Sequence, residues 1–310
     1  MSVSKKSVAK PKFTRAKKEK PELKVVEDDL NFDELVDAAK GLVADAFIPT
    51  EGQSLVEVSD WITMPDPIQE IMGTPGLPCG HIVEAYGKPD SGKTTFCTHA
   101  LIGTQQDGGI AILIDTEHKY DLERACAMGL DRKGFIITRA ETIEEVFEKY
   151  VGWMNVIKSK EKWRKRKVCL VWDSLGSTPC ANELDSSKGD HNMLAAGAIT
   201  GGLRRTRYFL RQCNAAFLII NQVTTKQTKT PWEKKTTAKG GLAPKYFSSV
   251  RLEFTPVGKL TVERKGVKTK VGIKTQIEVV KNHLAPPFKR TIVQIDKKGI
   301  IYGGRKIEST

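Results

Sequence analysis

A glycine-punctuated stretch in the first third of the chain contains the residue types that bind phosphate. It reads Gly87, Lys88, Pro89, Asp90, Ser91, Gly92, Lys93 and Thr94, which fits the pattern G-x-x-x-x-G-K-[ST] with every spacing intact. In this pattern the glycines let backbone N–H groups converge on phosphate oxygens, the lysine reaches the outer phosphates, and the final hydroxyl binds Mg²⁺. We therefore predict a nucleotide-binding loop that extends to Thr95, with Thr94 as a metal ligand.

The residues around this loop have the patterns that the motif requires. The apolar run 82–86 precedes the loop and predicts a buried strand, whereas Thr95 and Phe96 open a periodic apolar face that predicts a helix. The positive end of such a helix dipole points at the same anion as the loop. This context favours a phosphate site over an ordinary glycine-rich turn.

Two further apolar runs end in carboxylates. Residues 110–114 are followed by Asp115 and Glu117, and residues 168–172 are followed by Asp173. Acidic residues at the carboxyl end of a core strand lie where open α/β sheets bind ligands. A carboxylate that closes an apolar strand is also typical of the group that helps to hold Mg²⁺ beside a phosphate loop. We therefore predict Asp173 as part of the metal site.

Short apolar runs alternate with helical patterns through the middle of the chain. The runs are 82–86, 110–114, 134–138, 168–172 and 216–220. This alternation predicts an α/β fold with a mainly parallel, doubly wound sheet flanked by helices. The sequence further predicts a strand at 248–254, a basic hairpin at 257–280 and two short β elements at 291–295 and 299–302, so we expect a β hairpin region after the parallel core. Before the first apolar run, residues 61–80 predict a helix followed by a turn-rich lead into the strand of the phosphate loop.

Composition restricts the class of protein and of partner. The 310 residues are 39% hydrophobic, which is enough for a substantial core, and the formal net charge is +13. This charge favours a polyanionic partner, with nucleic acid ahead of an acidic membrane surface. Six cysteines without a C-x-x-C pair, no apolar signal core and no run of about 20 apolar residues predict a cytoplasmic protein with reduced thiols.

The two ends of the chain differ in character from its middle. Residues 1–27 are strongly basic and predict a disordered tail, which we interpret as a nucleic-acid arm, a localisation signal or a solubilising segment. Residues 28–57 begin with an amphipathic helical pattern whose apolar face would dock on its own domain or on a neighbouring subunit. The core is predicted at 58–303, followed by a short tail at 304–310.

Two basic segments carry a tryptophan each. The run 158–167 is interpreted as a solvated linker rather than a binding site. The segment 224–241 lacks apolar periodicity, and a loop of this length within a domain is usually functional or disordered. The lysines of this segment would bind phosphates and a base would stack on the indole of its tryptophan. Such a combination suits single-stranded nucleic acid. The residues concerned are Lys226, Lys229, Trp232, Lys234, Lys235 and Lys239.

Over roughly residues 58–303 the sequence resembles the bacterial RecA recombinases, including their phage-encoded relatives. The resemblance lies in short runs that fall in the family's order and near its spacing. These runs are 76–84, 91–95, 115–118 with Asp121, 173–174, 189–190 with Met193, 221–222, 240–241, 245–247, 249–252, 279–282 and 285–289. Many short matches in order are far more specific than the phosphate loop alone.

The resemblance implies an ATPase core that uses ATP and Mg²⁺, assembles into a helical filament on single-stranded DNA and drives strand exchange with double-stranded DNA. Lys93 and Thr94 would then hold phosphate and Mg²⁺, and Asp173 would order the water shell of the metal. Glu117 would activate the attacking water. Gln222 would sense the γ-phosphate and couple the state of the nucleotide to the affinity for DNA.

The resemblance also implies residues that contact DNA, the base and a neighbouring subunit. The segments 181–194 and 224–241 match two DNA-binding loops, with Gly240 and Gly241 in the second and Arg205 as a DNA contact beside the first. Asp121 matches a base contact. Lys281 and His283 match a pair that reaches the neighbour's ATP, and Lys245 matches another interface residue.

Several positions depart from the family pattern. Arg124 and Lys297 stand where aromatic residues would flank adenine, although adenine would also lie on a guanidinium plane. His283 stands in place of a lysine, so the contact across the interface is expected to be weaker or sensitive to pH. The chain stops near Thr310, where bacterial members add a C-terminal domain, which leads us to expect a compact phage-type recombinase.

Two other functions remain open from the sequence. One is a DNA motor with the same core, such as a ring helicase, and the other is a DNA-binding recombination mediator that hydrolyses ATP poorly. The presence of both Glu117 and Asp173 favours hydrolysis. We also expect single-strand-binding or loader proteins as possible partners, and no membrane.

Overall fold

The computed structural model describes residues 32–39, 56–184, 191–225, 236–264 and 267–301. The chain divides into two units, Met1–Leu55 and Val56–Thr310. The described part of the first unit is an eight-residue helix, α1 (Phe32–Ala39), with Asp33 and Glu34 in its first turn. It covers part of the amphipathic helix predicted after residue 28. The basic tail 1–27 and the tail 304–310 lie outside the described residues.

The second unit begins with a small sheet and continues with alternating strands and helices. Its first elements are β1 (Trp61–Thr63), α2 (Asp66–Met72), β2 (Gly76–Pro78), β3 (Ile82–Gly87), α3 (Lys93–Gln106), β4 (Ile110–Asp115), α4 (Leu122–Met128), β5 (Phe135–Arg139), α5 (Ile143–Lys158), α6 (Glu161–Arg164) and β6 (Val168–Asp173). Then follow α7 (Ala181–Leu184), α8 (His191–Gln212), β7 (Ala215–Thr225), β8 (Thr236–Ala238), α9 (Ala243–Phe247), β9 (Val250–Arg264), β10 (Val267–Asn282), β11 (Arg290–Asp296) and β12 (Gly299–Ile301).

Nine strands of the described part form the main sheet in the order β12-β11-β10-β9-β3-β7-β6-β4-β5. The pairs among β3 to β7 are parallel, and β9 also lies parallel to β3. From β9 to β12 the pairing is antiparallel. The predicted α/β class, its mainly parallel sheet and the added C-terminal hairpin are therefore confirmed.

Helices cover both faces of the parallel strands, so the sheet is doubly wound. One face packs α3 through Phe96 and Leu101, and the other packs α5 and α8 around Phe147 and Trp172. Every residue of β3 and β6 is buried, as expected of parallel strands that are covered on both sides. No helix within the described ranges is both long and apolar enough to cross a membrane.

Three segments differ from their predictions. Residues 61–80 are predicted as a helix and a turn-rich lead, but β1 pairs antiparallel with β2, and α2 is confined between Pro65 and Gly73, whose φ is +63°. The run 158–167 is not a linker, because it contains the last residue of α5 and the whole of α6.

The third difference concerns the ends of the long basic loop. There β7 continues to Thr225 and pairs antiparallel with β8, with Val223 opposite Ala238. Threonines favour extended strands, so a ladder closes the ends of this segment where the sequence predicts irregular structure. Residues 226–235 lie outside the described residues.

Candidate active site

The phosphate-binding motif forms the turn between β3 and α3. Gly92 precedes the first residue of α3 with φ +93°, a left-handed conformation that favours glycine. A Cβ at Gly92 would collide with Cδ1 of Ile295, and one at Gly87 would collide with the carbonyl oxygen of Phe254. No side chain caps the N-terminus of α3. Its first backbone N–H groups therefore remain available to an anion.

Lys93 is 7% exposed and lies against the loop that precedes it. Its Nζ donates hydrogen bonds to the carbonyl oxygen of Lys88 at 2.7 Å and to Oγ of Ser91 at 3.3 Å. Burial lowers the pKa of Lys93, and the nearby carboxylates of Asp173 and Glu117 act in the opposite direction. The loop therefore holds a cation next to two acidic side chains.

The side chains of Thr94 and Asp173 bring two oxygen atoms together. Oγ1 of Thr94 donates a hydrogen bond to Oδ2 of Asp173 at 3.0 Å. Burial raises the pKa of Asp173 to about 6, against the hydrogen bond from Thr94. No cluster of three or more His, Cys, Asp or Glu suited to a metal occurs among the described residues. A hydroxyl and one carboxylate fit Mg²⁺, which usually completes its shell with water and substrate phosphates.

Glu117 is held by two residues from neighbouring strand ends. Its Oε1 accepts hydrogen bonds from Oγ of Ser174 at 2.5 Å and from Nε2 of Gln222 at 2.8 Å. Partial burial raises the pKa of Glu117, but hydrogen bonds from Ser174, Ser177 and Gln222 outweigh it and hold the pKa below its ordinary value. Because β4, β6 and β7 are adjacent in the sheet, Glu117 and Ser174, just beyond β4 and β6, meet Gln222, where the pairing of β7 with β3 ends.

The residues that orient Glu117 were not predicted from the sequence. The carboxylate of Asp115 accepts hydrogen bonds from the backbone N–H of Glu117 at 3.1 Å and of His118 at 2.9 Å, which fixes the turn after β4. Ser174 follows Asp173 through a cis peptide bond. The only sequence signals for these roles are the positions of Asp115 at the end of β4 and of Ser174 directly after Asp173.

A cleft of about 470 Å³ lies beside the phosphate-binding loop. Asp121 and Arg124 line it, although Oδ1 of Asp121 also accepts a hydrogen bond from the backbone N–H of Arg124 and so caps α4. The guanidinium of Arg124 donates hydrogen bonds to Oγ1 of Thr95 at 2.9 Å and to the carbonyl oxygen of Asp296 at 3.1 Å. Lys297 lines the same cleft. The cleft has the size of a small-molecule site, and its basic lining suits an anionic ligand.

Lys281 and His283 are not among the residues that line this cleft. Nζ of Lys281 instead donates hydrogen bonds to the carbonyl oxygens of Lys245 at 2.8 Å and Tyr246 at 3.3 Å. Burial lowers the pKa of both Lys281 and His283, and like charge adds to the effect in each. The structure therefore does not bring this pair to the phosphate loop of its own chain.

The described ends of the basic loop connect to Gln222. The backbone carbonyl oxygen of Gln222 accepts a hydrogen bond from the N–H of Lys239 at 2.9 Å, and Nδ2 of Asn221 donates to the carbonyl oxygen of Lys239 at 2.8 Å. Gly240 and Gly241 follow with φ of +84° and +69°. Arg205 is exposed on α8. The predicted residues Lys226, Lys229, Trp232, Lys234 and Lys235 lie outside the described ranges.

Comparison with known proteins places these features in one family. The family model of the RecA N-terminal domain matches residues 44–303. The chain is 34% identical to Protein RecA of Chloroherpeton thalassium over 233 residues, which is 75% of this chain and 60% of that protein. It is 36% identical to Protein RecA of Leifsonia xyli over 221 residues, 71% of this chain and 58% of that protein.

Protein RecA of Clostridioides difficile is 36% identical over 225 residues, which cover 71% of this chain and 60% of that protein. The match thus spans about three fifths of the length of these relatives. Because the family model covers well over half of the chain and the relatives exceed 30% identity, this chain belongs to the RecA family.

Proposed function

We propose that this protein is an ATP-dependent recombinase that assembles on single-stranded DNA and pairs it with homologous double-stranded DNA. One observation carries the proposal. The side chain of Gln222 contacts Glu117, while its backbone holds Lys239 at the end of the basic loop. A change at the phosphate site that moves Gln222 would therefore also move Lys239, at the end of the lysine-rich segment 224–241. Family membership and the net charge of +13 support the same function.

The proposed roles of the nucleotide-site residues follow from their chemistry. The N-terminus of α3 and Lys93 bind the phosphates, and Thr94 and Asp173 hold the magnesium ion with its water. Bound Mg²⁺ supplies neutralisation of phosphate charge. Glu117, whose pKa is held low, is ionised at neutral pH and accepts a proton from a water that it orients.

The proposed contacts with DNA and with other subunits rest on the resemblance and on the positions of the residues. Arg205 and the loop that ends at Lys239 would bind the single strand, with Trp232 as a stacking platform. Lys281 lies outside its own cleft, which supports a contact with the nucleotide of the next subunit in a filament. Single-strand-binding or loader proteins would be partners of such a filament.

A joint-molecule assay tests this function. Circular single-stranded DNA and homologous linear duplex are incubated with the full chain, ATP and Mg²⁺, and the products are separated on a gel. We expect joint molecules from the wild type and none from Lys93→Ala, with electron micrographs showing helical filaments. Failure to form joint molecules while DNA binding is intact would contradict the proposal.

The same preparation distinguishes the two alternatives. Discrete hexamers that unwind a tailed duplex would establish a ring motor. DNA binding with negligible phosphate release would establish a mediator without catalytic activity. DNA-stimulated ATP hydrolysis together with joint molecules would support the recombinase and neither of the two alternatives.

A further inference from the structure

A second basic surface lies away from the nucleotide site. It is formed by the exposed side chains of Lys158, Lys160, Lys162 and Arg164 at the end of α5 and on α6, and by those of Arg207 and Arg211 in the last turns of α8. We call these six residues the amino-end basic surface. All three of its lysines belong to the run 158–167, which the nucleotide site does not use.

The strand order places this surface at the amino ends of the parallel strands. Helix α6 precedes β6 and α8 precedes β7, and Val168 at the start of β6 lies opposite Ala215 at the start of β7. The phosphate loop and Glu117 follow the carboxyl ends of β3 and β4, Asp173 ends β6, and Gln222 is the last residue of β7 that pairs with β3. The two edges are separated by the length of β6, six residues or about 20 Å. The amino-end basic surface and the nucleotide site therefore lie at opposite edges of the sheet.

Packing joins the two halves of the surface. The indole of Trp163 packs on the apolar core shared by α5 and α8, which anchors α6. Nζ of Lys158 lies 5.3 Å from the ring centroid of Tyr208 on α8. The cations of α6 and α8 are thus presented by a packed structure rather than by a mobile linker.

The positive charge is only partly neutralised within the described residues. The single carboxylate in 158–167, Glu161, pairs with Lys165 at 2.6 Å, and α8 contains no acidic residue. Arg211 has one acidic neighbour, Glu57, at 3.7 Å. No ion pair within the described part of the chain joins Lys160, Lys162 or Arg164 to a carboxylate. The surface therefore carries net positive charge, which favours binding of an anion.

The aromatic rings at this surface favour phosphate over bases. Nζ of Lys160 and of Lys162 lie 4.5 and 5.7 Å from the ring centroid of Trp163, and Lys158 lies over Tyr208. Single-strand sites use open aromatic faces on which bases stack, and here lysines occupy those faces. A surface that offers only ammonium and guanidinium groups binds the phosphate backbone, and the charge density of that backbone is high in duplex DNA.

We propose that the amino-end basic surface is a second DNA site, which binds the phosphate backbone of duplex DNA. The site goes beyond the proposed recombinase function and does not depend on it, because it requires neither nucleotide nor the loops at the opposite edge. Its binding is expected to be independent of sequence and steeply dependent on salt.

Duplex binding by matched variants tests the proposal. Lys162→Ala/Arg164→Ala removes two unpaired cations, and Lys149→Ala/Lys289→Ala removes two cations elsewhere, one of which pairs with Glu145. Affinity for a short labelled duplex is measured by fluorescence anisotropy across a salt series without nucleotide. We expect the first variant to bind about tenfold more weakly at low salt, with a salt slope smaller by about 0.9 for each lost phosphate contact. The control variant should bind like the wild type.

Two further measurements separate this site from the loops. Affinity of the first variant for single-stranded DNA should change little, and a photo-crosslinking amino acid at position 160 should label duplex, whereas one at position 149 should not. Unchanged duplex affinity, an equal loss in the control variant, or an equal loss for single strands would each overturn the proposal. Equal thermal unfolding of both variants would exclude misfolding as the cause.

Discussion

At the residue scale, the contacts of Glu117 determine what its carboxylate does. Ser174 and Gln222 both donate to Oε1, so the carboxylate is oriented and its pKa is kept low. An ionised carboxylate is the form that accepts a proton. A new partner at Oε1 of Glu117 would compete with both donors, and of the two only Gln222 lies on the strand that leads to the basic loop.

Replacing this carboxylate separates binding from turnover. Glu117→Gln should retain nucleotide binding and lower ATP hydrolysis by about 10²-fold or more, because the amide does not accept the proton. Lys93→Ala should instead lose nucleotide binding. Steady-state phosphate release and binding of a fluorescent nucleotide measure the two effects. Glu123→Gln is the matched control, since Glu123 lies on the exposed side of α4 and pairs with Arg132. Normal turnover by Glu117→Gln would show that another group acts as the base.

Burial of the Asp173 carboxylate is expected to lower the stability of the fold, although ATP hydrolysis needs this group. Its pKa rises from 3.8 to about 6 in the fold, so the folded state binds this proton more tightly than the unfolded chain. The stability from the protonated form is complete below the unfolded pKa and is lost as the pH rises through about 6. Above that pH the ionised group costs up to about 3 kcal/mol.

Asp173→Asn should therefore unfold at higher urea concentration than the wild type at neutral pH, while its magnesium-dependent ATPase activity is lost. The difference in stability should shrink as the pH falls towards about 4, where both side chains are neutral. Urea unfolding without nucleotide or magnesium at several pH values measures it. A variant that is less stable than the wild type at neutral pH would contradict the assigned cost of ionisation.

At the element scale, the contact between α5 and α8 depends on one glycine. Gly202 on α8 faces the ring of Phe147 on α5, and a Cβ at Gly202 would collide with that ring. Phe147 in turn packs edge-on against Trp172 of β6, with 5.6 Å between ring centroids. Close approach of the two helices therefore places aromatic side chains over the sheet.

Two glycine substitutions in helices should have opposite effects. Gly202→Ala should destabilise the protein by about 1–3 kcal/mol because it overpacks the site against Phe147. Gly152→Ala in α5 meets nothing within 4 Å and should stabilise by about 1 kcal/mol through helix propensity. Chemical denaturation of the two variants measures both values. Similar effects of the same sign would mean that the helices do not pack as closely as the structure places them.

At the scale of the whole molecule, the position of Lys281 outside the cleft predicts complementation between subunits. Lys281→Ala and Lys93→Ala should each have little ATPase activity alone. In an equal mixture, about one interface in four would combine an intact phosphate loop with an intact Lys281 from its neighbour, so activity should return in part. ATPase assays with single-stranded DNA measure the recovery. A mixture that is no more active than the two separate proteins would contradict a contact between subunits.

Much of the architecture was predictable because its signals are local. Consecutive apolar residues predict the strands β3, β4, β6 and β7, and the spacing of glycines, lysine and threonine predicts the phosphate-binding loop. The pairing of β1 with β2 was missed because each strand is three residues long, too short for periodicity to show. The run 158–167 was misread because its charges suggest a linker, whereas a single tryptophan anchors it to the core.

Local patterns in the amino-acid sequence are enough for the alternation of core strands and helices, the phosphate-binding turn and the basic character, since each depends on neighbouring residues. Which distant groups meet depends on the tertiary structure. Glu117, Ser174 and Gln222 come together because three parallel strands lie side by side and their parallel pairing ends at one edge. Lysines of α6 and arginines of α8 share a surface because the same strands begin at the opposite edge. The order of strands in the sheet joins segments that are far apart in the chain, so no local pattern contains it.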